Sequence, residues 1–360
     1  MAEPLKNLYT PELIGELADA LARHYRLFDK PSFMAHVFDK HWAQRELKQR
    51  MRHITHSVHT HLPLPYDEQI RILQKAAPTF KGFIAMFFPD FVEVYGLDHP
   101  DISIPALELF TQYSSSEFAV RPFIMKYEKP MVKQHLAWAK HANHHVRRLA
   151  SEGIRPRLPW AMALPAFKQN PAAILPILEI LKNDESEYVR RSVANNLNDI
   201  SKDHPLVVLD IINKWKGHSK ETDWILKHAS RGLLKKGHAD ALQSFGLNHR
   251  LKAEVNALKL SRKQVPMGDE LSFTFTVTML EKKAQQVRLE YQIHFMKAGG
   301  HTSPKVFQIG TYNMHPGTSL TSNRKHKFAD LTTRKHYAGK HTLVIVINGK
   351  PHASADFLLK

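Results

Sequence analysis

The apolar residues of this chain change their period once, and that change constrains the fold more than any other feature. From Thr10 to about Leu247 they recur at helical spacing. After Gly246 the runs ELSFTFTVTM (270–279), QVRLEYQIHFM (286–296) and HTLVIVING (341–349) alternate apolar and polar residues and are rich in Val, Ile, Thr and aromatics, the texture of strands. A helix-period segment cannot bury its apolar face in a sheet, so two parts are expected: helices over residues 1–248 and a β domain over 258–360. At 360 residues the chain is long enough for two cores.

Proline and short polar runs punctuate the helical part. Thr10-Pro11-Glu12 has the form of a cap and first turn; Asp29-Lys30-Pro31, Leu62-Pro63-Leu64-Pro65, Phe88-Pro89-Asp90, Asn170-Pro171 and Lys202-Asp203-His204-Pro205 mark further starts or breaks, because proline suits a first turn and not a helix interior. They predict about ten to twelve helices. A local pattern repeats among them: DESEYVRRSVANNL (184–197) aligns with ETDWILKHASRGLL (221–234), with HHVRRLA (144–150) and more loosely with SSSEFAVRPFI (114–124). The apolar anchors Ala119, Val146, Val189 and Ile225 are 27, 43 and 36 residues apart. Irregular periods of this size point to a HEAT-like α-solenoid of stacked helix pairs. The strands, separated by Gly, Pro and Asn turns, suggest an immunoglobulin-like β-sandwich, although no Cys–Trp–Cys signature is present. The expected fold class is therefore mainly α with a β domain.

With 51 Lys+Arg against 34 Asp+Glu the formal net charge is +17, a field that attracts polyanions, nucleic acid first. No cysteine occurs, which excludes disulfides, thiolate zinc sites, iron–sulfur clusters and Cys nucleophiles. The opening MAEPLKNLYTPELIGEL lacks a signal-peptide pattern and no run approaches the ~18 apolar residues of a membrane span. A cytoplasmic protein with no membrane partner is expected. Gly-rich phosphate loops, a GxSxG elbow and Rossmann glycines are absent, which argues against nucleotide hydrolase, esterase and dehydrogenase chemistry.

On the helix that carries Val189, Val193, Leu197 and Ile200 these residues fall on one apolar stripe. Arg191, Asn195, Asp199 and Lys202 fall on the opposite flank. In the repeat alignment the position of Arg191 is filled by Arg148, by Lys227 and, more loosely, by Arg121, so that one cation per repeat makes a ladder suited to phosphates. The plain alternative is an arginine that bonds the neighbouring repeat. Arg155, Arg157 and Arg231 are counted with the ladder as DNA contacts. Two carboxylates interrupt it. Glu117, in register with Glu187, sits where a helix begins, a place that favours an acid for structural reasons alone; Asp199 is equally readable as part of a solvated face. SEGIRPRLPWA (151–161) is a stiff connector that projects Arg155, Arg157 and Trp160, and a Trp beside Arg serves either as a base platform or as a core residue closing a turn. The histidines of HITHSVHTH (53–61) and His144-His145 show no HExxH spacing, so no metal is expected.

SEGIRPRLPWA, YVRRSVANNLNDISKDHP and the opening LKNLYTPELI together resemble the AlkC branch of the HEAT-like-repeat alkylpurine DNA glycosylases, over essentially the whole chain. The resemblance implies hydrolysis of the N-glycosidic bond of cationic methylated bases, chiefly 3-methyladenine and 3-methylcytosine, in double-stranded DNA, without a cofactor and without flipping the base. It implies Glu117 and Asp199 as the groups that stabilise the sugar cation and position water, and Trp160 as a contact to the lesion or its deoxyribose. Glu187 is the rival to Glu117 if the register differs. The Trp–Asp–Trp arrangement of the AlkD branch has no counterpart by motif, and no Lys stands out as a Schiff-base nucleophile, so a monofunctional glycosylase is expected, with a monomer as the default state. The basic clusters of the β domain, Lys282-Lys283, His301–Lys305, Asn323–Lys327 and Arg334-Lys335-His336, suggest a second DNA-contacting arm. The competing readings are a HEAT scaffold that binds nucleic acid without cutting a bond, and an adaptor for an acidic protein.

Overall fold

The computed structural model describes residues 4–330 and 335–360, so Arg334 of the last basic cluster lies outside the described residues. Contacts divide the chain into two compact units, Met1–Asp203 with Lys216–Ala229, and His204–Trp215 with Ser230–Lys360.

The first unit is helical and repeat-like. Its helices start where short side chains can satisfy free backbone donors: Thr10 caps Leu13 N at 3.3 Å, Asp29 caps Ser32 N at 3.1 Å and Asn143 caps His145 N at 2.8 Å. Pro11 and Pro31 occupy the first turns of Pro11–Ala22 and Lys30–Val37. The four repeat anchors Ala119, Val146, Val189 and Ile225 are all buried, as are Val189, Val193, Leu197 and Ile200. Sixteen α-helices occur among the described residues, more than the ten to twelve expected. The surplus lies in pieces such as Pro165–Gln169 and Arg231–Lys235, too short to leave a periodic signature. No helix among the described residues is long and apolar enough to cross a membrane.

The second unit holds eight strands: β1 (Ala253–Leu260), β2 (Gln264–Val265), β3 (Glu270–Met279), β4 (Gln285–Met296), β5 (Thr302–Met314), β6 (Ser319–Lys327), β7 (Gly339–Ile347) and β8 (Lys350–Leu359). They form a three-stranded sheet in the order β1-β3-β6 and a five-stranded sheet in the order β2-β8-β7-β4-β5. The alternation read in the sequence is the burial pattern of β3, where Leu271, Phe273, Phe275 and Val277 point into the core shared with Val287, Leu289 and Ile293 of β4 and Leu343 and Ile345 of β7. Asn348-Gly349 turns β7 into β8 with both residues at positive φ (44° and 78°), the turn an Asn-Gly pair favours. The second glycine is also needed for approach, since a Cβ on Gly349 would lie 2.3 Å from the Gly237 Cα.

Each unit buries a histidine that no acid among the described residues compensates. Burial pushes His135, in the helix Glu128–Trp138, down to about 4 against the opposing effect of its bond to Met131 O. Burial and then the charge of His336 push His326 of β6 down to about 4. The unfolded chain therefore takes up protons that the folded one refuses as the pH falls from about 6.5 through about 4. Stability is expected to be full above that window and to fall within it, by at most ~3 kcal/mol per histidine. Urea unfolding followed by circular dichroism should give a lower midpoint near pH 4.5 than near pH 7.5, and His135→Gln should remove part of that difference; an unchanged slope in the variant contradicts the account.

Candidate active site

Arg121 lies in the helix Val120–Lys126 and has no exposed surface. Its Nε donates to Met162 O at 2.7 Å and its Nη1 to Gly153 O and Arg155 O, both at 2.9 Å. One guanidinium thus holds both ends of the connector read as SEGIRPRLPWA. Within the connector Ala161 N donates to Leu158 O at 3.3 Å, and just beyond it Leu164 N donates back to Pro156 O at 3.2 Å. Gly153 is required by proximity, because a Cβ there would stand 2.7 Å from Val120 Cγ1. Trp160 projects from this loop 67 % exposed, with φ at +64°. For a bulky residue that conformation costs on the order of 1 kcal/mol and persists only where the surroundings impose it.

Beside the loop runs a line of alternating charge. Glu117, in the turn that opens the helix Val120–Lys126, accepts Ser115 Oγ at 2.9 Å and a short bond from Arg148 Nη1 on the same oxygen, Oε2. Arg148 Nη2 lies 3.5 Å from Glu152. Arg155 Nη1 donates to Glu152 at 2.6 Å and its Nε to Asp199 at 2.8 Å; Lys202 Nζ closes the line on Asp199 at 2.9 Å. Burial opposes the charge on Arg148 and Arg155, but the acids on either side outweigh it and hold both guanidinium groups above their ordinary range. Arg121, with the charge of Arg155 beside it and no acid in contact, is pushed down to about 10, by burial first.

A cleft of ≈ 460 Å³ opens at the Glu117 end, with Glu117, Phe118, His145, Arg148, Trp160 and Tyr188 on its walls. The Arg148 guanidinium lies over the Tyr188 ring, 4.6 Å from its centroid. Glu117, Trp160 and Arg148, singled out separately in the sequence, meet here. Asp199 does not line this cleft and is not on a solvated flank. It is 1 % exposed, because its helix Glu187–Ile200 is packed on two sides by His144–Glu152 and Lys220–Ala229. Glu187, the rival, is the first residue of that helix, exposed and paired with Arg191.

The expected ladder of surface cations is corrected at two points. Arg121 is spent on backbone carbonyls, and Arg155 is 7 % exposed between two acids. The cations that do reach solvent are Arg191, Lys227 and, in part, Arg157, which pairs with Asp203 at 2.6 and 3.1 Å. Arg231 belongs to the other unit. Sequence reasoning missed Glu152, Ser115 and Tyr188. Only Glu152 carried a signal, four residues after Arg148 and three before Arg155. The histidines of 53–61 bond within the fold, His53 to His36 O and His56 to Tyr95 OH; among the described residues no three metal-ligating side chains gather to hold an ion.

Residues 111–233 match the family described as DNA alkylation repair enzyme, and residues 254–360 match the C-terminal immunoglobulin-like domain of the uncharacterised protein YhaZ. The chain is 48% identical over 353 residues to the uncharacterised protein YhaZ of Bacillus subtilis (strain 168), across 98% of each. It matches the structure of Pseudomonas fluorescens alkylpurine DNA glycosylase AlkC, bound there to DNA containing an abasic-site analogue, with a TM-score of 0.95 and 35% identity over 99% of this chain and 100% of that one. A helical repeat-like unit followed by an immunoglobulin-like domain thus has whole-length relatives, and the chain belongs to the AlkC branch of the DNA alkylation repair enzyme family.

Proposed function

We propose that the protein is a monofunctional DNA glycosylase that hydrolyses the N-glycosidic bond of cationic alkylated bases, 3-methyladenine and 3-methylcytosine, in double-stranded DNA. The observation that carries this reading is that Glu117 and Trp160 line one cleft. A base methylated at N3 carries positive charge and departs as a neutral molecule, so the bond electrons leave with it and no acid need protonate it. What remains is a sugar cation centred on C1′, and the need is for negative charge and a placed water. Among the described residues, both side-chain hydrogen bonds to Glu117 fall on Oε2 and none on Oε1. Oε1 then faces the sugar cation or receives the proton of the water that bonds to C1′. Trp160 offers an exposed indole against the lesion or its deoxyribose, and an open cleft suits a base that is not turned into a deep pocket.

Asp199 acts in this reading through Arg155, Glu152 and Arg148, as the buried end of the charge line that orients Glu117. Arg191, Lys227, Arg157 and Arg231 contribute contacts to phosphates. Arg191→Ala and Lys227→Ala should each weaken duplex binding and reduce the salt slope of log K by about 1; titration by fluorescence anisotropy at several salt concentrations measures it.

The test is incubation with N-methylated duplex DNA, with free 3-methyladenine and 3-methylcytosine measured by chromatography and strand breaks by gel. Free base with an intact strand at abasic sites is expected. Duplex binding with no base released favours the scaffold reading, and binding indifferent to salt favours an acidic protein partner.

A further inference from the structure

Trp160 and Glu117 belong to separate segments of the helical unit, and a third element holds both. The helix Leu47–His61 is fixed at its N-terminus by a capping box between Glu46 and Gln49 and by Lys6, whose Nζ donates to Glu46 at 2.8 Å while its carbonyl accepts from Arg50 at 2.8 Å. From the second residue of this anchored turn the Lys48 ammonium donates a short hydrogen bond to Trp160 O. The same ammonium lies over the ring of Phe118, 4.3 Å from its centroid, and Phe118 follows Glu117 in the chain and lines the same cleft. One cation therefore ties the carbonyl of a left-handed Trp to the turn that carries the acid, by a hydrogen bond on one side and a cation–π contact on the other.

We propose that Lys48 is a positioning residue for the excision reaction: it holds the exposed Trp160 at its angle to Glu117 by binding the Trp160 carbonyl while resting on Phe118. The role rests on the reading of Glu117 and Trp160 given above. Arg121 fixes the two ends of the loop from inside the protein, and Lys48 fixes its tip from the outer side. Freeing the tip releases the indole from the orientation in which it meets the sugar, and misplacement of this kind is felt in the chemical step more than in binding.

The full chain labelled with 5-fluorotryptophan gives five fluorine resonances, one for each tryptophan, and Trp160→Phe identifies that of Trp160. In Lys48→Met the Trp160 resonance should move while the other four hold. The single-turnover rate should fall about 10-fold with half-saturation changed less than about twofold. Lys48→Arg, which retains a donor able to reach the carbonyl, should return both resonance and rate towards the parent. A Trp160 resonance unmoved in Lys48→Met overturns the proposal, and a loss confined to DNA affinity makes Lys48 a phosphate contact instead. The resonance is read without substrate, so it stands even if the parent protein releases no base; that failure would strike the glycosylase reading alone.

Discussion

Replacing Glu117 by Gln is expected to slow single-turnover release of 3-methyladenine by about 100-fold or more, the cost typical of removing one preorganised electrostatic group from a transition state. The substitution keeps the size of the side chain and its hydrogen bonds to Ser115 and Arg148, so the charge is what is lost. Duplex affinity should stay close to the parent, and the melting temperature should fall only modestly, because Arg148 loses the charge of one acid at a pair 16% and 14% exposed but keeps Glu152 beside it. Asp199→Asn should behave differently. Its carboxylate is 2% exposed and is shared by Arg155 and Lys202, and breaking a buried pair from one side costs roughly 3–5 kcal/mol. Rate and stability should fall together there. Glu187→Gln is the control: an exposed acid in a pair within one helix turn is worth little, and release should be unchanged. Undiminished release by Glu117→Gln with a loss in Glu187→Gln would transfer the assignment to the rival.

The helical anchors and the β alternation were legible because both follow from local periods that burial rewards. Val146 and Val189 had to face inward in any stacking of their helices, and Phe273 and Phe275 in any sheet. What a period cannot tell is whether the far side of an element stays open. Asp199 falls on the polar flank of its own helix, and its burial is decided by a neighbouring helix and by Arg155, 44 residues away. Arg288 and Glu290 of β4 show the same limit in the second unit. They stand on the polar side of an alternating strand, yet both are buried and bonded to each other at 2.6 Å. Glu152 did carry a spacing signal, four residues after Arg148 and three before Arg155, but its place in a line that runs on to Glu117 and Asp199 depends on contacts 31 and 44 residues apart. Trp160 was singled out for its connector, and its left-handed backbone is set by tertiary bonds that the sequence does not display.

Arg121 shows what that limit costs and supplies the other large effect. By register it is the first rung of a phosphate ladder, equivalent to Arg148 and Arg191. In the structure its fork is occupied by Gly153 O, Arg155 O and Met162 O, while Nη2 is buried with no hydrogen-bond partner among the described residues. Arg121→Met removes three bonds, two of them to the buried carbonyls of Gly153 and Arg155, at about 1–3 kcal/mol for each buried group left unpaired, partly offset by relief of a buried charge. A net loss of roughly 3 kcal/mol corresponds to about 10 °C in melting temperature for a unit of this size. Arg121→Lys should recover little of it, since an ammonium lacks the planar fork that reaches both ends of the loop. The loop over residues 153–162 should become a site of proteolytic cleavage under conditions where the parent resists, and base release should fall because Trp160 rides on that loop. Calorimetry and limited proteolysis decide between the two roles. A phosphate contact predicts an unchanged melting temperature and a salt slope smaller by about one counterion; an internal pin predicts the drop in melting temperature with the slope intact.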